Sequence, residues 1–143
     1  MLKGKTALIT GSTSGIGQGI AEAFAAKGCN IVLNGFGDAD EIERLRAKLA
    51  ADHGVTVRYD NADMSKGGAI TAMMDKAIAE FGAVDILVNN AGIQHVAPID
   101  DFPIEKWEAV VAIDLMSSFY TIRRALQAMK VRKWGRIINV ASA

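Results

Sequence analysis

The segment that most constrains this chain is TGSTSGIG, residues 10–17, in which three glycines are spaced G-x-x-x-G-x-G. An apolar run at residues 6–10 precedes it and predicts a strand. The pattern of residues 16–27 predicts a helix, with Ile16 on its apolar face and Gly28 as its stop. Such a turn places the unpaired N–H groups of a helix N-terminus at the carboxyl end of a strand. This is the arrangement that a phosphate-binding site requires.

Each of the three glycines has an expected part in such a site. Gly11 permits the sharp turn out of the strand, Gly15 lets the backbone approach a pyrophosphate closely, and Gly17 lets the helix pack tightly on the sheet. The side chains between them are candidate hydroxyl donors: Ser12, Thr13 and Ser14. A glycine turn without any ligand is the alternative, but the flanking strand and helix favour dinucleotide binding.

The rest of the chain continues the alternation of strand and helix. Further strands are predicted at residues 30–34, 55–60, 84–92 and 135–142. Further helices are predicted from Asp38 or Asp40 to about residue 53, from Ser65 to residue 81, and over residues 104–129. This order predicts an α/β fold, a Rossmann-type doubly wound parallel sheet, in which residues 1–143 form one dinucleotide-binding domain.

Composition and charge exclude several classes of protein. Sixteen basic and sixteen acidic residues cancel, so nothing indicates binding to nucleic acid or to an anionic membrane. No apolar run approaches the roughly 20 residues that span a bilayer. The N-terminal segment MLKGKTALITG lacks the apolar core of a signal peptide, which favours a cytoplasmic protein. No metal site is expected.

The segment after the second predicted strand bears on the choice between NAD and NADP. A basic residue there would pair with the 2′-phosphate of NADP, and an acidic one would accept from the ribose hydroxyls of NAD. Residues 34–40, NGFGDAD, contain no basic residue, and a 2′-phosphate would face Asp38. NAD is therefore the expected cofactor. Phe36 either packs near the adenosine or is an ordinary exposed loop aromatic, and the sequence favours neither.

Two separate motifs resemble those of the short-chain dehydrogenase/reductase family. The family pattern T-G-x-x-x-G-[IL]-G matches Thr10, Gly11, Gly15, Ile16 and Gly17, and its N-N-A-G motif matches Asn89, Asn90, Ala91 and Gly92. The resemblance covers the whole chain and implies hydride transfer between a nicotinamide cofactor and an alcohol or ketone. It implies these cofactor-binding residues: Gly11, Thr13, Ser14, Gly15, Ile16, Gly17, Phe36, Asp63, Asn90, Ala91 and Gly92. Asp63 matches the family position that contacts the adenine amino group, and a helix N-terminal acid is the alternative for it.

Two further segments resemble one group within that family, the bacterial D-3-hydroxybutyrate dehydrogenases. They are NAGIQHVAPI, residues 90–99, and GRIINVASA, residues 135–143. The resemblance implies that Gln94 contacts the carboxylate of a small hydroxy-acid or keto-acid substrate. It implies that Ser142 binds the reacting oxygen as 3-hydroxybutyrate and acetoacetate interconvert. The alternative for Gln94 is a loop residue that caps backbone groups, and His95 is expected to be a surface histidine.

The chain departs from the family pattern at two places. Asp114 occupies the position of an Asn that completes the family's proton relay, and a carboxylate there would bring a costly buried charge. The family's catalytic Tyr-x-x-x-Lys pair belongs about a dozen residues beyond Ser142. Tyr120, with Arg124 at the same offset, is rejected as a substitute because it precedes the fifth strand and arginine does not exchange its proton.

These departures lead to an expectation about the chain itself. It corresponds to the family fold truncated after the fifth strand, a domain incomplete at its C-terminal side, and it is expected to be inactive alone. The alternative is an NAD-binding half-fold or a self-associating fragment without catalysis. The resemblance also implies a homo-oligomer, a dimer or a tetramer, because the helix predicted at residues 104–129 packs across a dimer axis in the family.

Overall fold

The computed structural model describes residues 1–142, which form one parallel sheet with helices on both faces. Five strands lie in the order β3-β2-β1-β4-β5, and every neighbouring pair is parallel. The strands are β1 (Thr6–Ile9), β2 (Asn30–Asn34), β3 (Val57–Asp60), β4 (Ile86–Asn89) and β5 (Arg136–Asn139). The strand order reverses between β1 and β4, so a crevice opens at the carboxyl ends of these two strands. The predicted Rossmann-type fold is confirmed.

Five α-helices connect the strands within residues 1–142. They are α1 (Gly15–Ala26), α2 (Ala39–His53), α3 (Gly67–Phe81), α4 (Ile104–Val111) and α5 (Ser117–Arg132). The single long helix predicted at residues 104–129 is wrong in detail, because a π-helical turn, Ala112–Met116, separates α4 from α5. Such turns are frequent at functional sites. A short 3₁₀ turn, Ile99–Asp101, precedes α4.

The two faces of the sheet bury separate apolar clusters. On one face, Met73 and Met74 of α3 pack with Leu8 and Leu87, and on the other, Ala21 of α1 belongs to the cluster beneath α1 and α2. All four residues of β1 are buried, as expected for the central strand of a doubly wound sheet. None of the helices within residues 1–142 is both long and apolar enough to cross a membrane.

The helix starts test the predictions from sequence. The start of α2 is resolved in favour of Asp38, whose carboxylate accepts a hydrogen bond of 3.0 Å from the Glu41 N–H. Ser65 was expected to cap α3, but Lys66 holds that position and makes no side-chain capping bond. The apolar face expected for α1 is wrong at Ile16. This helix buries Gly17, Ala21 and Ala25, and Ile16 is 70% exposed.

Candidate functional site

The glycine-rich turn between β1 and α1 contains two glycines in the left-handed backbone conformation. Gly11 has a φ of +61° and Gly15 a φ of +58°, both in a region that side chains rarely adopt. A Cβ added to Gly11 would lie 3.0 Å from the Cα of Ala91, whereas one added to Gly15 would meet nothing within 4 Å. The backbone of Gly15 is therefore open to a ligand. No acidic residue lies in the first turn of α1, so no carboxylate in that turn opposes a bound anion.

Gly17 meets the tightest packing in the turn. A Cβ at this position would lie 2.5 Å from Asn90 Nδ2 and still closer to the carbonyl oxygen of Gly11. The sequence prediction assigned Gly17 to packing of the helix on the sheet. The structure shows that it packs on the turn itself and on the loop after β4.

Hydrogen bonds join the two family motifs to each other. Asn90 Nδ2 donates to the carbonyl oxygens of Thr10 at 3.1 Å and Gly11 at 3.0 Å. In return, the Thr10 hydroxyl oxygen accepts from the backbone N–H groups of Asn90 at 3.0 Å and Ala91 at 2.9 Å. The amide of Asn90 thus holds the glycine turn in place. The backbone of Ala91 and Gly92 remains on the wall of the crevice.

The three hydroxyls of the turn have different surroundings. Ser12 is fully buried and donates to the Ile9 carbonyl at 2.6 Å. The Thr13 hydroxyl donates to the Phe36 carbonyl at 2.9 Å. Ser14 is exposed at the N-terminus of α1, and its side chain makes no capping hydrogen bond. Two of the three predicted donors are therefore engaged within the protein, and Ser14 is the one available to a phosphate.

Asn34 is a site residue that the sequence analysis missed. It is fully buried at the end of β2, where its Nδ2 donates to the carbonyls of Asp60 and Ala62, both at 3.1 Å. Its Oδ1 accepts from the Gly11 N–H at 3.2 Å. One amide therefore ties the glycine turn to the loop after β3. The only signal in the sequence was a polar residue that ends an apolar strand.

A groove of about 690 Å³ opens above the glycine turn. It is lined by Gly11, Thr13, Ser14, Gly35, Phe36, Met64, Asn90, Ala91, Gly92, Ile93 and Ile113, and we call it the first groove. Phe36 is 67% exposed and forms part of its wall. Asp63 does not itself line the groove, but it is the neighbour in sequence of Met64, which does. Its Oδ1 accepts from the Ser65 hydroxyl at 2.6 Å and the Ser65 N–H at 2.9 Å, and both bonds hold the pKa of the Asp63 carboxyl below its usual value.

A second, larger groove of about 1460 Å³ continues from the first and shares residues 90–93 with it. Its wall brings together three residues singled out from the sequence: Gln94, Asp114 and Ser142. Ile16 also lines this groove, which accounts for its exposure. His95 is exposed and does not line this groove. Its ring is edge-on to that of Phe102, with 5.2 Å between the two ring centroids.

Asp114 lies in the π-helical turn, and the expectation of a buried charge there is wrong. The residue is exposed in the described part of the chain. Its Oδ1 accepts a hydrogen bond of 2.8 Å from the Ile93 N–H, so it fixes the loop that carries Gln94. The amide oxygen of an asparagine could accept the same bond. The change from Asn to Asp at this position therefore preserves the contact that the structure shows.

A chain of polar side chains supports the floor of the second groove, and the sequence analysis missed it. The buried hydroxyl of Thr121 donates to Asn89 Oδ1 at 2.6 Å, and Asn89 Nδ2 donates to Asn139 Oδ1 at 2.9 Å. These bonds link α5, β4 and β5.

The two tyrosines of the chain lie away from the second groove. Tyr59 donates its hydroxyl to the Gly35 carbonyl at 2.5 Å. The ring of Tyr120 packs over Gly67, where an added Cβ would collide with it. Tyr120 is thus a packing residue, in agreement with its rejection as a catalytic substitute, and neither tyrosine reaches the residues around Ser142.

Comparison with known proteins is consistent with this geometry. Residues 5–143, nearly the whole of this chain, match the short chain dehydrogenase family. The chain belongs to this family.

Two of the chain's relatives are D-beta-hydroxybutyrate dehydrogenases. The chain is 62% identical over 143 residues to a D-beta-hydroxybutyrate dehydrogenase of Cupriavidus necator, covering 99% of this chain and 54% of that protein. It is 54% identical over 139 residues to a D-beta-hydroxybutyrate dehydrogenase of Rhizobium meliloti, covering 97% of this chain and 54% of that protein. The chain therefore spans about half the length of the curated relatives it matches.

Solved structures agree on the fold. A metagenomic short-chain oxidoreductase in complex with NADP superposes with a TM-score of 0.92 at 31% identity, covering 99% of this chain and 64% of that one. A 3-oxoacyl (acyl-carrier-protein) reductase from Agrobacterium tumefaciens with NADP bound gives a TM-score of 0.88 at 35% identity, covering 99% and 54%.

Proposed function

We propose that this chain is the nucleotide-binding portion of an NAD-dependent dehydrogenase that interconverts 3-hydroxybutyrate and acetoacetate. The observation that carries the proposal is the pair of continuous grooves, one above the N-terminus of α1 and one beside Gln94 and Ser142. A dinucleotide laid across residues 90–93 would have its adenosine half in the first groove and its nicotinamide in the second. The substrate is assigned by similarity to two D-beta-hydroxybutyrate dehydrogenases, which are 62% and 54% identical to this chain.

The residues of the first groove fit a dinucleotide. Gly15 and the exposed Ser14 leave N–H and O–H donors of the α1 N-terminus free for the pyrophosphate. Phe36 and Met64 give the groove an apolar wall that suits adenine, and Ala91 and Gly92 offer backbone along the path to the second groove. We assign Asp63 to the rim of this wall. Its second oxygen suits the adenine amino group, since Oδ1 already binds Ser65.

The charges around the first groove favour NAD over NADP. No Lys or Arg occurs among the described residues that line it. The next element along the chain, α2, is capped by Asp38 and carries Asp40 and Glu41 in its first turn. A 2′-phosphate would meet these carboxylates without a counter-charge. The NADP complexes among the structural relatives show what those proteins bind, and the charges in this chain argue for a different preference.

The second groove supplies groups for a small hydroxy acid. Gln94 offers an amide N–H to the substrate carboxylate, and the Ser142 hydroxyl offers a hydrogen bond to the reacting oxygen. Asp114 acts on this groove by holding the Ile93 amide. When bound, the nicotinamide supplies the hydride chemistry. The chain's own residues orient the substrate and exclude part of the solvent.

Proton transfer requires a group that neither tyrosine of this chain supplies, because Tyr59 and Tyr120 are both directed elsewhere. The family resemblance assigns this step to a Tyr-x-x-x-Lys pair beyond Ser142, and the relatives extend over about twice the length of this chain. General acid–base catalysis contributes about 10²–10⁴-fold. For these 143 residues by themselves, we expect cofactor binding without turnover.

Isothermal titration calorimetry with NAD and NADP tests this proposal. We expect NAD to bind at least about tenfold more tightly than NADP, a difference of about 1.4 kcal/mol. Asp38→Asn removes one negative charge and keeps a side chain that can cap α2. It should therefore reduce the difference in affinity between NAD and NADP without unfolding α2. Equal or tighter binding of NADP to the unaltered chain would contradict the NAD assignment. Failure to bind either nucleotide would contradict the binding role itself.

We also propose that the protein forms homo-oligomers through α4, the π-helical turn and α5. This surface exposes several large apolar side chains: Ile104, Trp107, Leu115, Met116 and Phe119. Leu115 is 68% exposed and Phe119 is 62% exposed. Monomeric proteins rarely expose so many large apolar side chains in one patch. Size-exclusion chromatography with light scattering should report a mass of two or more chains at micromolar concentration. A single-chain mass there would contradict the proposal, and Phe119→Glu should lower the measured mass.

A further inference from the structure

The loop that follows β2 is held by hydroxyl groups from two other elements. The Gly35 carbonyl accepts from the Tyr59 hydroxyl of β3 at 2.5 Å. The next carbonyl, that of Phe36, accepts from the Thr13 hydroxyl of the glycine turn at 2.9 Å. Two consecutive carbonyls are therefore fixed by side chains that lie 23 and 24 residues away in the sequence.

This loop depends on such bonds for its position. Gly35 has a φ of +152° and Gly37 a φ of +148°, so Phe36 lies between two residues in conformations that are rare for side chains. Glycines on both sides give the unbound loop many alternative conformations. Packing does not restrain it either, because the Phe36 side chain is 67% exposed. The two hydroxyls are thus the contacts that fix the Phe36 backbone at the groove.

We propose that Tyr59 and Thr13 are positioning residues that hold Phe36 as the adenosine-side wall of the first groove. The inference rests on the proposed function, since it requires a nucleotide in that groove. Neither residue has a part in the chemistry at the far end of the second groove. Their contribution is to fix the wall in advance, which removes an ordering cost from binding.

The surroundings of both residues support this assignment. Burial, together with the nearby Asp60 carboxylate, raises the pKa of Tyr59 above its usual value, so its hydroxyl remains a donor at neutral pH. At Gly35 the loop lies too close to the glycine turn for a residue with a side chain, because a Cβ there would collide with Thr13 Oγ1. Thr13 and Gly35 therefore fit each other at the junction of the two loops.

The test compares Tyr59→Phe and Thr13→Val in titrations with NAD and with AMP, which carries only the adenosine half. Each variant should weaken both ligands by the same factor, about 3- to 10-fold, as expected for the loss of one hydrogen bond. Thr13→Ser keeps the hydroxyl and should restore the affinity. Tyr120→Phe is the matched control at the other tyrosine and should leave both affinities unchanged. Urea unfolding of each variant verifies that the proteins compared are folded.

A double-mutant cycle tests whether Tyr59 acts through Phe36. In a Phe36→Ala background, Tyr59→Phe should cause less than a twofold further loss of AMP affinity. A full additional loss there, or unchanged NAD and AMP affinities in the single variants, would overturn the inference and leave the proposed function standing. An unaltered chain that binds neither ligand would overturn both.

Discussion

Asn34→Asp is expected to destabilise the fold by about 3–5 kcal/mol, the range for a buried charge left without a partner. The native amide donates to the Asp60 and Ala62 carbonyls at 3.1 Å, and a carboxylate would direct negative oxygens at both of them. Urea denaturation followed by circular dichroism measures the loss. Burial and the two carbonyls should also raise the folded-state pKa of the new carboxyl. The deficit should therefore grow as the pH rises through that pKa and shrink in acid, where the group is protonated.

Asn30→Asp provides a matched control on the same strand. Asn30 uses only its oxygen, which accepts from the Thr56 N–H at 3.1 Å, and a carboxylate accepts that bond equally well. We expect this change to alter the free energy of unfolding by less than about 1 kcal/mol. If both variants lost the same stability, the donor role assigned to Asn34 would be wrong.

Gly17→Ala is the second change with a large expected effect. The added methyl group would lie 2.5 Å from Asn90 Nδ2 and closer still to the Gly11 carbonyl, so the turn and α1 must move apart. Such overpacking costs about 1–3 kcal/mol of stability. It also opens the turn proposed to hold the pyrophosphate, and we expect NAD affinity to fall by about 100-fold, the equivalent of about 2.7 kcal/mol. Calorimetry and urea unfolding on the same sample measure the two effects.

Gly19→Ala is the control for that substitution on the same helix. A Cβ at Gly19 meets nothing within 4 Å, so the change tests helix propensity alone. We expect it to stabilise the protein by about 0.5–1 kcal/mol and to leave NAD binding unchanged. Retention of native NAD affinity by Gly17→Ala would show that the turn tolerates the methyl group, contrary to the packing described.

The features predicted correctly are those with a local cause. The strand–turn–helix around Gly11 and the alternation of apolar strands with helices follow from residue order alone, and the parallel sheet follows from that alternation. The stop of α2 at Gly54 is similarly local, since the residue adopts the left-handed conformation that glycine favours.

The features that were missed depend on contacts between distant segments. Thr10 and Asn90 are 80 residues apart, and nothing near either one shows that they exchange hydrogen bonds. Ser12 was predicted to be a phosphate donor because the sequence does not show its burial. The contacts with Ile9 and Asn34 that bury it exist only in the folded sheet. The placing of Ile16 on the buried face of α1 was wrong for a related reason. The helix approaches so closely at Gly17 that small residues take the inner positions and Ile16 turns to the groove.

The central claim is that the crevice above the glycine turn holds the adenosine and pyrophosphate of NAD. The most direct test is a titration of the ¹⁵N-labelled chain with NAD, followed through its backbone amide resonances. We expect the largest shift changes at Ser14, Gly15, Phe36, Ala91 and Gly92, with the amides at the opposite end of the sheet, such as Asp85, unchanged. Saturating NAD that left the glycine turn unshifted, or that shifted a different surface, would contradict the account.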